Sequence, residues 1–420
     1  MLTIQFGQCG NQLGHTLFSE VLSDLECANT GVSYKANYQY SEDTFNKWFN
    51  GISKNNERLA RALLVDTEQK VISKIYNDKS NSWTYSTRNV ICQAGGGCAN
   101  NWALGYMIKG YELSDVILNC VRQEIEKLDH FDGFLLLLSS AGGTGSGIGS
   151  YITKLLRKEY GKKSIVNTTI LPFSFGEVCT QNYNTLLTLA KLYSESDINI
   201  LIENEQIYNI CTNLLKKSPT NLQDINKIAC HPSYKIATIK SSPHIPATFA
   251  NYEPVYNWNS YIHHLKQTLR ISNFNSQLTN VELKIPSNSL SDTTHHTYAC
   301  SISNILITRG IASEQDPIVT DIFKEKHLYA DWNTINWFTH LHQNRKFLNH
   351  DKFLALITNN SQISYSLDVL LNKAWKSYVH SAFLHQYKQF GLEEDDFLQA
   401  FAVLENVVKD YKELVPHAKQ

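Results

Sequence analysis

Phe134-Leu-Leu-Leu-Leu-Ser-Ser-Ala-Gly-Gly-Thr-Gly-Ser-Gly-Ile-Gly149 decides the fold of this chain. Phe134 to Leu138 is a short apolar run, the mark of a strand buried in a parallel sheet. Five glycines follow between Gly142 and Gly149, with Thr144, Ser146 and Ile148 among them. Ile148, Tyr151, Ile152, Leu155, Leu156 and Tyr160 then recur at helical spacing, which predicts an amphipathic helix. Strand, glycine loop and helix together are the layout of an anion site. Glycine lets a backbone N–H approach a phosphate with no Cβ in the way. The helix N-terminus adds unpaired donors and the positive end of a dipole. Thr144 and Ser146 can donate hydroxyl hydrogen bonds to the same oxygens. The alternative is a strand-to-helix turn with no ligand, which leaves the entropic cost of so many glycines unexplained.

Two familiar phosphate loops are excluded. A P-loop ends in Gly-Lys-Ser/Thr, and no lysine occurs between Asp132 and Lys154. A dinucleotide fingerprint reads G-x-G-x-x-G. From Gly143 its last position is Ile148, and from Gly145 it is Ser150, so neither frame fits.

Ala141-Gly-Gly-Thr-Gly-Ser-Gly147 closely resembles the signature loop of the tubulin family. Gly7-Gln-Cys-Gly-Asn-Gln-Leu-Gly14 resembles the family's N-terminal loop, and Asn100-Asn101-Trp102-Ala103 with Gly105-Tyr106 resembles a third motif. The motifs occur in family order, and the resemblance runs to about Tyr411. Glu177-Val178 with Gln181-Asn182-Tyr183-Asn184 is similar to the delta branch, where alpha and beta chains carry Glu-Pro-Tyr-Asn. Lys373-Ala-Trp375, Ala382 to Tyr387 and Phe390 to Phe397 fit the same branch.

Composition agrees with a large folded protein. The chain has 420 residues, 42% hydrophobic and 18% charged, enough for two or three domains with sizeable cores. Its formal net charge of −1 gives no general pull toward nucleic acid or an anionic membrane. No apolar run approaches a membrane span. The nine cysteines are scattered with no C-x-x-C pair, which suits a reduced cytosolic protein rather than a disulfide or zinc scaffold. The N-terminus leads straight into a motif and does not read as a signal peptide.

The resemblance implies a doubly wound, Rossmann-like parallel sheet in a GTP-binding domain over 1–226. An intermediate α+β domain over 227–365 and C-terminal helices over 366–420 would follow. Leu2 to Phe6 reads as the first strand. Carried over from the family, Gln8 and Gln12 contact the nucleotide and Cys9 packs near base or ribose; by residue type alone Cys9 is a small buried hydrophobe. Gly31 to Asn56 reads as a polar, aromatic surface excursion. Arg61 to Val65 is the next strand. Asp66 and Glu68 stand at its end, where carboxylates suit water-mediated Mg²⁺ or are simply solvated. The resemblance favours the metal role for Glu68.

Asn89 to Gln93 is another strand. Asn100 then follows a glycine run, Gly95 to Gly97, that is shifted from the family's usual place. A helix is expected over Tyr111 to Leu128. Ser139, Gly142, Gly143, Thr144, Gly145 and Ser146 are the phosphate set that the resemblance implies. Strands are expected at Ser164 to Pro172 and Ile198 to Ile202. Glu177 falls where the family contacts ribose, and Gln181 stands where the family has a glutamate. Asn204 and Asn226 match the positions that read ribose and guanine. Leu222 replaces the aromatic that stacks on the base.

After Asn226 the chain departs from the family. Proline at 232 is expected to stop the helix at once. Roughly thirty residues are missing, on the order of 30 Å of core helix plus its following loop. A skipped exon, a misread gene and true divergence all fit. In the second domain, strands are expected at Ser301 to Thr308 and Phe353 to Thr358, and a helix at Pro317 to Lys326. The pairs His263-His264, His295-His296 and His340-x-His342 read as packing rather than a metal site. The chain is helical from Ser366, with Glu393 to Asp396 capping the last helix. It ends without the acidic tail of alpha and beta tubulins.

The resemblance therefore implies a GTP- and Mg²⁺-binding structural subunit of the cytoplasmic cytoskeleton. It would assemble with other tubulin subunits, epsilon-tubulin being one candidate. The delta branch implies centrioles, basal bodies with triplet microtubules, and cilia or flagella. No nucleic-acid or membrane partner is expected. Any GTPase activity would be weak and would need a neighbouring subunit. A stand-alone soluble GTPase regulator and a nonfunctional truncated isoform are the alternatives.

Overall fold

The structure is a computed structural model. It describes residues 1–27, 32–53, 56–78, 81–92, 96–173, 178–214, 217–238, 249–255, 300–310, 329–330, 338–348 and 353–414. In chain order the first elements are β1 (Leu2–Phe6), α1 (Gly7–Glu26), α2 (Tyr34–Trp48), β2 (Phe49–Ile52), β3 (Arg58–Ala60), β4 (Ala62–Asp66), α3 (Gln69–Tyr76), β5 (Trp83–Tyr85) and β6 (Val90–Cys92). Then come α4 (Gly110–Ile125), β7 (Gly133–Ser139), α5 (Gly149–Glu159), β8 (Ser164–Leu171), α6 (Gln181–Glu195), β9 (Ile198–Glu203), α7 (Asn204–Asn209) and α8 (Leu222–Thr238).

The apolar run Phe134–Leu138 is the interior of β7, and every residue in it is fully buried. β7 lies in a parallel sheet of six strands in the order β6-β4-β1-β7-β8-β9. Alternate residues point to opposite faces of a strand. Leu2, Ile4 and Phe6 of β1 share one core with Leu113, Ile117 and Val121 of α4 and Ile152 and Leu156 of α5. Gln5 points the other way, toward α1. A Cβ on Gly14 of α1 would stand 2.1 Å from the Gln5 side chain. Helix α1 also packs on α3 and α8, while α5 packs on α4 and α6. Helices thus cover both faces, the doubly wound arrangement that the resemblance implies.

Three expectations are corrected. The stretch 31–56 is not wholly an excursion, because it contains α2 and β2. Trp48 and Phe49 are buried there, each edge-on to Phe18 at 5.8 and 5.9 Å. Only Thr44 and Trp48 of α2 are buried, so the helix carries almost no apolar period to read. The helix expected from Tyr111 begins earlier, since a π-helical stretch, Leu104–Lys109, runs directly into α4. Pro232 does not stop α8, which continues to Thr238. Proline removes one N–H and crowds the carbonyl four residues back, at a cost of about 3 kcal/mol. The helix tolerates this because Ile225, Ile228, Ala229 and Cys230 are buried on a face that packs on α1.

By its contacts the chain divides into two units. One comprises residues 1–26, 38–249 and 369–404, and the other 27–37, 250–368 and 405–420. The second unit is built on β10 (Phe249–Val255), β11 (Ser301–Arg309), β12 (Phe338–Gln343) and β13 (Phe353–Asn360), in the order β12-β11-β13-β10. β13 is antiparallel to both neighbours. Buried Arg309 donates to the carbonyls of Arg345 and Lys346 at 3.2 and 2.8 Å and lies over the Phe347 ring. The strands expected at 301–308 and 353–358 are therefore present. His340 and His342 flank the Thr308 hydroxyl at 2.8 and 2.9 Å. No group of three metal-binding side chains occurs among the described residues. The helix expected at 317–326 and the pairs at 263–264 and 295–296 lie outside the described residues. The last helices are Ile363–Val379, Leu384–Lys388 and Glu394–Glu413. The Asp396 carboxylate accepts from the Glu393 N–H at 2.9 Å, as the expected acidic cap. No described helix is long and apolar enough to cross a membrane.

Candidate functional site

All six strands of the first sheet are parallel, so their C-terminal ends share one edge: Phe6, Asp66, Cys92, Ser139, Leu171 and Glu203. From β1 the chain winds outward to β4 and β6. It then crosses back to β7 on the other side of β1 and winds outward to β8 and β9. Strand order reverses between β1 and β7, and a ligand crevice is expected outside such a point. Both glycine-rich loops leave the sheet there.

The two loops lie back to back. Gly7 has φ +67, and a Cβ on it would stand 2.9 Å from the Gly145 nitrogen. Only glycine combines that backbone with that approach. Asn11 holds the turn from inside: its amide donates to the Gly7 and Val65 carbonyls at 3.0 and 3.3 Å and to the Asp66 carboxylate at 3.4 Å. Gln8 is exposed, and Cys9 and Gln12 are half-buried. Burial pushes the Cys9 thiol up to about 12, so it behaves as a neutral packing group.

The turn after β4 joins this pair. Asp66 accepts from the N–H groups of Thr67 and Glu68 at 2.8 and 3.2 Å. Its carboxyl is nonetheless raised to about 6, because burial outweighs those bonds. The Thr67 hydroxyl meets the Thr144 hydroxyl at 2.8 Å. Glu68 is exposed, and a Cβ on Gly97 would stand 2.8 Å from its Oε1.

The loop before Asn100 packs on the signature loop. A Cβ on Gly143 would stand 2.6 Å from the Cys98 Cβ and 2.7 Å from the Asn101 nitrogen. Ala99 and Asn100 both have positive φ, +47 and +51, which is uncommon for residues other than glycine. The Asn100 side chain reaches the Gly142 position, its Oδ1 being the nearest atom to a Cβ built there, at 3.9 Å. Ser139 accepts from the Ala141 N–H at 3.3 Å. Ser146 is fully buried, and its hydroxyl donates to the Gly142 carbonyl. It shapes the loop, whereas Thr144 is half-exposed at the loop's surface.

One side chain bridges the two loops. The Asn184 amide, in the second turn of α6, donates to the Asn100 carbonyl at 2.8 Å and the Ala141 carbonyl at 2.7 Å. Its Oδ1 accepts from the Trp102 N–H at 2.9 Å and the Tyr387 hydroxyl at 2.7 Å. The structure thus ties together Gly7, Thr144, Gly145, Glu68, Asn100 and Gly142 to Gly143. Gln181, Asn204 and Asn226 lie apart from these contacts. Gln181 is buried at the start of α6 and donates to the Phe173 carbonyl at 3.2 Å. Half-buried Asn204 opens α7, and half-buried Asn226 lies in the second turn of α8. Leu222, at the start of α8, is exposed. Glu177 lies outside the described residues.

Thr67, Asn101, Asn184 and Tyr387 are absent from the residues expected from sequence. Asn101 donates to the Gln386 carbonyl at 2.8 Å. For Asn184 a signal existed: it falls in the apolar face of α6 with Leu187, where a polar side chain needs internal partners. Tyr387 enters only as the end of the Ala382 to Tyr387 motif, and nothing local ties it to the site, since its hydroxyl meets Asn184 across 203 residues of chain.

Comparison with known proteins agrees with this fold. The Tubulin/FtsZ family GTPase domain matches residues 1–212. The tubulin delta chain of Homo sapiens is 32% identical over 457 aligned positions, covering 98% of this chain and 99% of that protein. The tubulin delta chain of Mus musculus is 31% identical, covering 99% of this chain and all of that protein. The tubulin gamma chain of Saccharomyces cerevisiae is 27% identical, covering 98% and 92%. The 457 positions aligned with the human protein exceed the 420 residues here by 37, so at least that many have no counterpart in this chain.

Proposed function

This chain belongs to the tubulin family as a GTP-binding subunit, and we propose that it is a structural subunit of the delta kind, acting at centrioles and basal bodies. The observation that carries the nucleotide part is the reversal of strand order between β1 and β7, with both glycine loops interlocked at Gly7 and Gly145. In this reading the N–H groups of Gly142 to Ser146 and the half-exposed Thr144 hydroxyl take the phosphates, with Gln8, Gln12 and Asn100 around them and Cys9 near base or ribose. Asn204 and Asn226 read the base, because an amide both donates and accepts and so can pair with the guanine edge. By the resemblance Glu177 is the ribose contact, and Gln181 replaces a glutamate, keeping a hydrogen bond without the charge.

The oxygen donors at the end of β4 fit Mg²⁺. Glu68 is exposed and acidic, and a hard cation with retained water suits a single carboxylate beside phosphates. When bound, the ion neutralises phosphate charge. Asp66 is committed to the N–H groups of Thr67 and Glu68 and orients the turn instead.

The delta placement is supported by two mammalian delta chains matched along nearly the whole chain. Partners are then other tubulin subunits, with epsilon-tubulin a candidate, in the triplet microtubules of centrioles and basal bodies, with a role in building cilia or flagella. The test has two arms. Nucleotide extracted from natively purified protein should be guanine nucleotide; adenine nucleotide, or none from folded protein, contradicts the site. A tagged copy should concentrate at centrioles, and even spread along cytoplasmic microtubules contradicts the placement. GTP turnover that rises with protein concentration separates an assembling subunit from a stand-alone GTPase.

A further inference from the structure

Asn184 uses every hydrogen-bonding position it has. An asparagine amide offers two N–H donors and two acceptor positions. Its donors go to the Asn100 and Ala141 carbonyls, one on each loop of the candidate phosphate site. Its acceptors take the Trp102 N–H and the Tyr387 hydroxyl. Asn184 and Tyr387 are both fully buried, so water is no substitute partner for either.

Tyr387 belongs to the short helix Leu384–Lys388, far along the chain from the loops. Its hydroxyl lies 2.7 Å from Asn184 Oδ1 and 3.3 Å from the Thr180 carbonyl, and the nearer oxygen is the better acceptor. The next residue back, Gln386, accepts from Asn101 through its carbonyl. The same helix therefore holds the Asn100–Asn101 turn at two points. The Tyr387 ring is in turn edge-on to Tyr183 and Phe397, at 5.6 and 5.4 Å. Tyr378 packs on Phe397, and Trp375, 42% exposed, packs on Tyr378. A continuous set of contacts runs from the loops to the surface of the C-terminal helices.

We propose that Tyr387 is a positioning residue for the nucleotide site, acting through Asn184 to hold the Asn100 and Ala141 loops in one arrangement. This rests on the reading of those loops as the GTP site. Ala99 and Asn100 both have positive φ, a conformation that needs outside restraint. The Asn184 amide supplies that restraint, and the Tyr387 hydroxyl fixes which way the amide faces. Coupling then runs both ways: nucleotide orders the helix 384–388, and a change at the helix alters nucleotide affinity.

The test uses the full chain and three variants, Y387F, N184D and the double variant. Y387F keeps the ring and its packing and removes one hydroxyl. GTP should bind about three- to tenfold more weakly to Y387F. N184D loses both donors and should bind more weakly still. The double variant should bind no more weakly than N184D alone, because the hydroxyl acts only through the amide. Hydrogen exchange gives the readout that a purely structural role would not move. In the wild type, GTP should protect amides of both 142–149 and 384–388; in Y387F it should protect 142–149 and lose its effect on 384–388. Wild-type protein that binds no GTP would overturn the nucleotide reading itself. Wild-type binding with Y387F unchanged in affinity and exchange would overturn this proposal alone, as would fully additive losses in the double variant.

Discussion

Thr67 Oγ1 lies 2.8 Å from Thr144 Oγ1, so the turn after β4 and the loop after β7 share one hydroxyl hydrogen bond. Thr67 is buried and Thr144 is half-exposed. Thr67 can therefore donate outward to Thr144 while Thr144 turns its own hydrogen to a phosphate oxygen. T67V keeps the side-chain shape and removes the hydroxyl. It should weaken GTP binding about two- to tenfold, T144V should weaken it at least as much, and the double variant should match T144V. Titration with a fluorescent GTP analogue reads all three, and T67V binding as wild type would show that the pair carries no orientation.

Gly142 and Gly143 are neighbours with opposite surroundings. A Cβ on Gly143 would collide with Cys98 and Asn101, whereas one on Gly142 would meet only Asn100 Oδ1, at 3.9 Å. G143A should lower stability by about 1–3 kcal/mol with no ligand present. G142A should leave the nucleotide-free melting temperature nearly unchanged and weaken GTP binding, because in the proposed site the added methyl would stand where a phosphate approaches. Melting curves with and without GTP check both. An unchanged GTP-induced shift in G142A would remove Gly142 from the site.

Asp66 predicts a pH dependence. Burial raises its carboxyl to about 6 from an ordinary 3.8, against the pull of its two backbone hydrogen bonds. The folded chain thus holds a proton on Asp66 more tightly than the unfolded chain does. That contribution is full below about pH 4 and is lost as pH rises through 6, amounting to at most about 3 kcal/mol. D66N keeps an acceptor for the Thr67 and Glu68 N–H groups and has no proton to lose. In nucleotide- and Mg²⁺-free protein, D66N should gain on wild type in urea melts as pH rises from 5 to 7.5. Parallel stability curves would refute this.

Residue patterns showed some of these features and hid others. The run Phe134–Leu138 and the glycines after it reported a buried parallel strand and its loop, because one short segment carries both signals. Helix α2 was hidden, since only Thr44 and Trp48 of it are buried and no apolar period marks it. The site divides the same way. Gly7, Gly143 and Thr144 belong to local motifs, and sequence alone brings them forward. Thr67 is a small polar residue in a turn, with no neighbour in sequence that explains it. The Asn184–Tyr387 bond joins residues 203 positions apart, so only the fold shows it.

Helix α8 tests how far a local breaker governs. The breaker rule ends it at Pro232, yet it runs to Thr238. Because the helix is continuous there, P232A restores an N–H to the ladder. Stability should rise by up to about 3 kcal/mol. A helix ending before Pro232 would give a change near zero, which chemical denaturation would detect.

The same stretch bears on GTP hydrolysis. In the tubulins that this chain resembles, an acidic residue beyond the core helix of one subunit orients water on the neighbour's nucleotide. A chain broken at Pro232 would lack that residue because its helix never forms. Here α8 does form as far as Thr238, so the helix end does not decide the matter. Charge does: no aspartate or glutamate occurs between Asp224 and Glu253. Asp224 is itself engaged by Lys217 and by the Asn221 N–H at the start of α8. Phosphoryl transfer depends almost wholly on positioning and electrostatics, and placing the attacking water is worth several kcal/mol of barrier. Assembled samples should therefore turn over GTP slowly, although the nucleotide is bound. Inserting the corresponding segment of the human delta chain after Asn226 should raise turnover in assembled samples and leave GTP affinity within a few-fold. Equal turnover with and without the segment would show that no carboxylate from this region takes part.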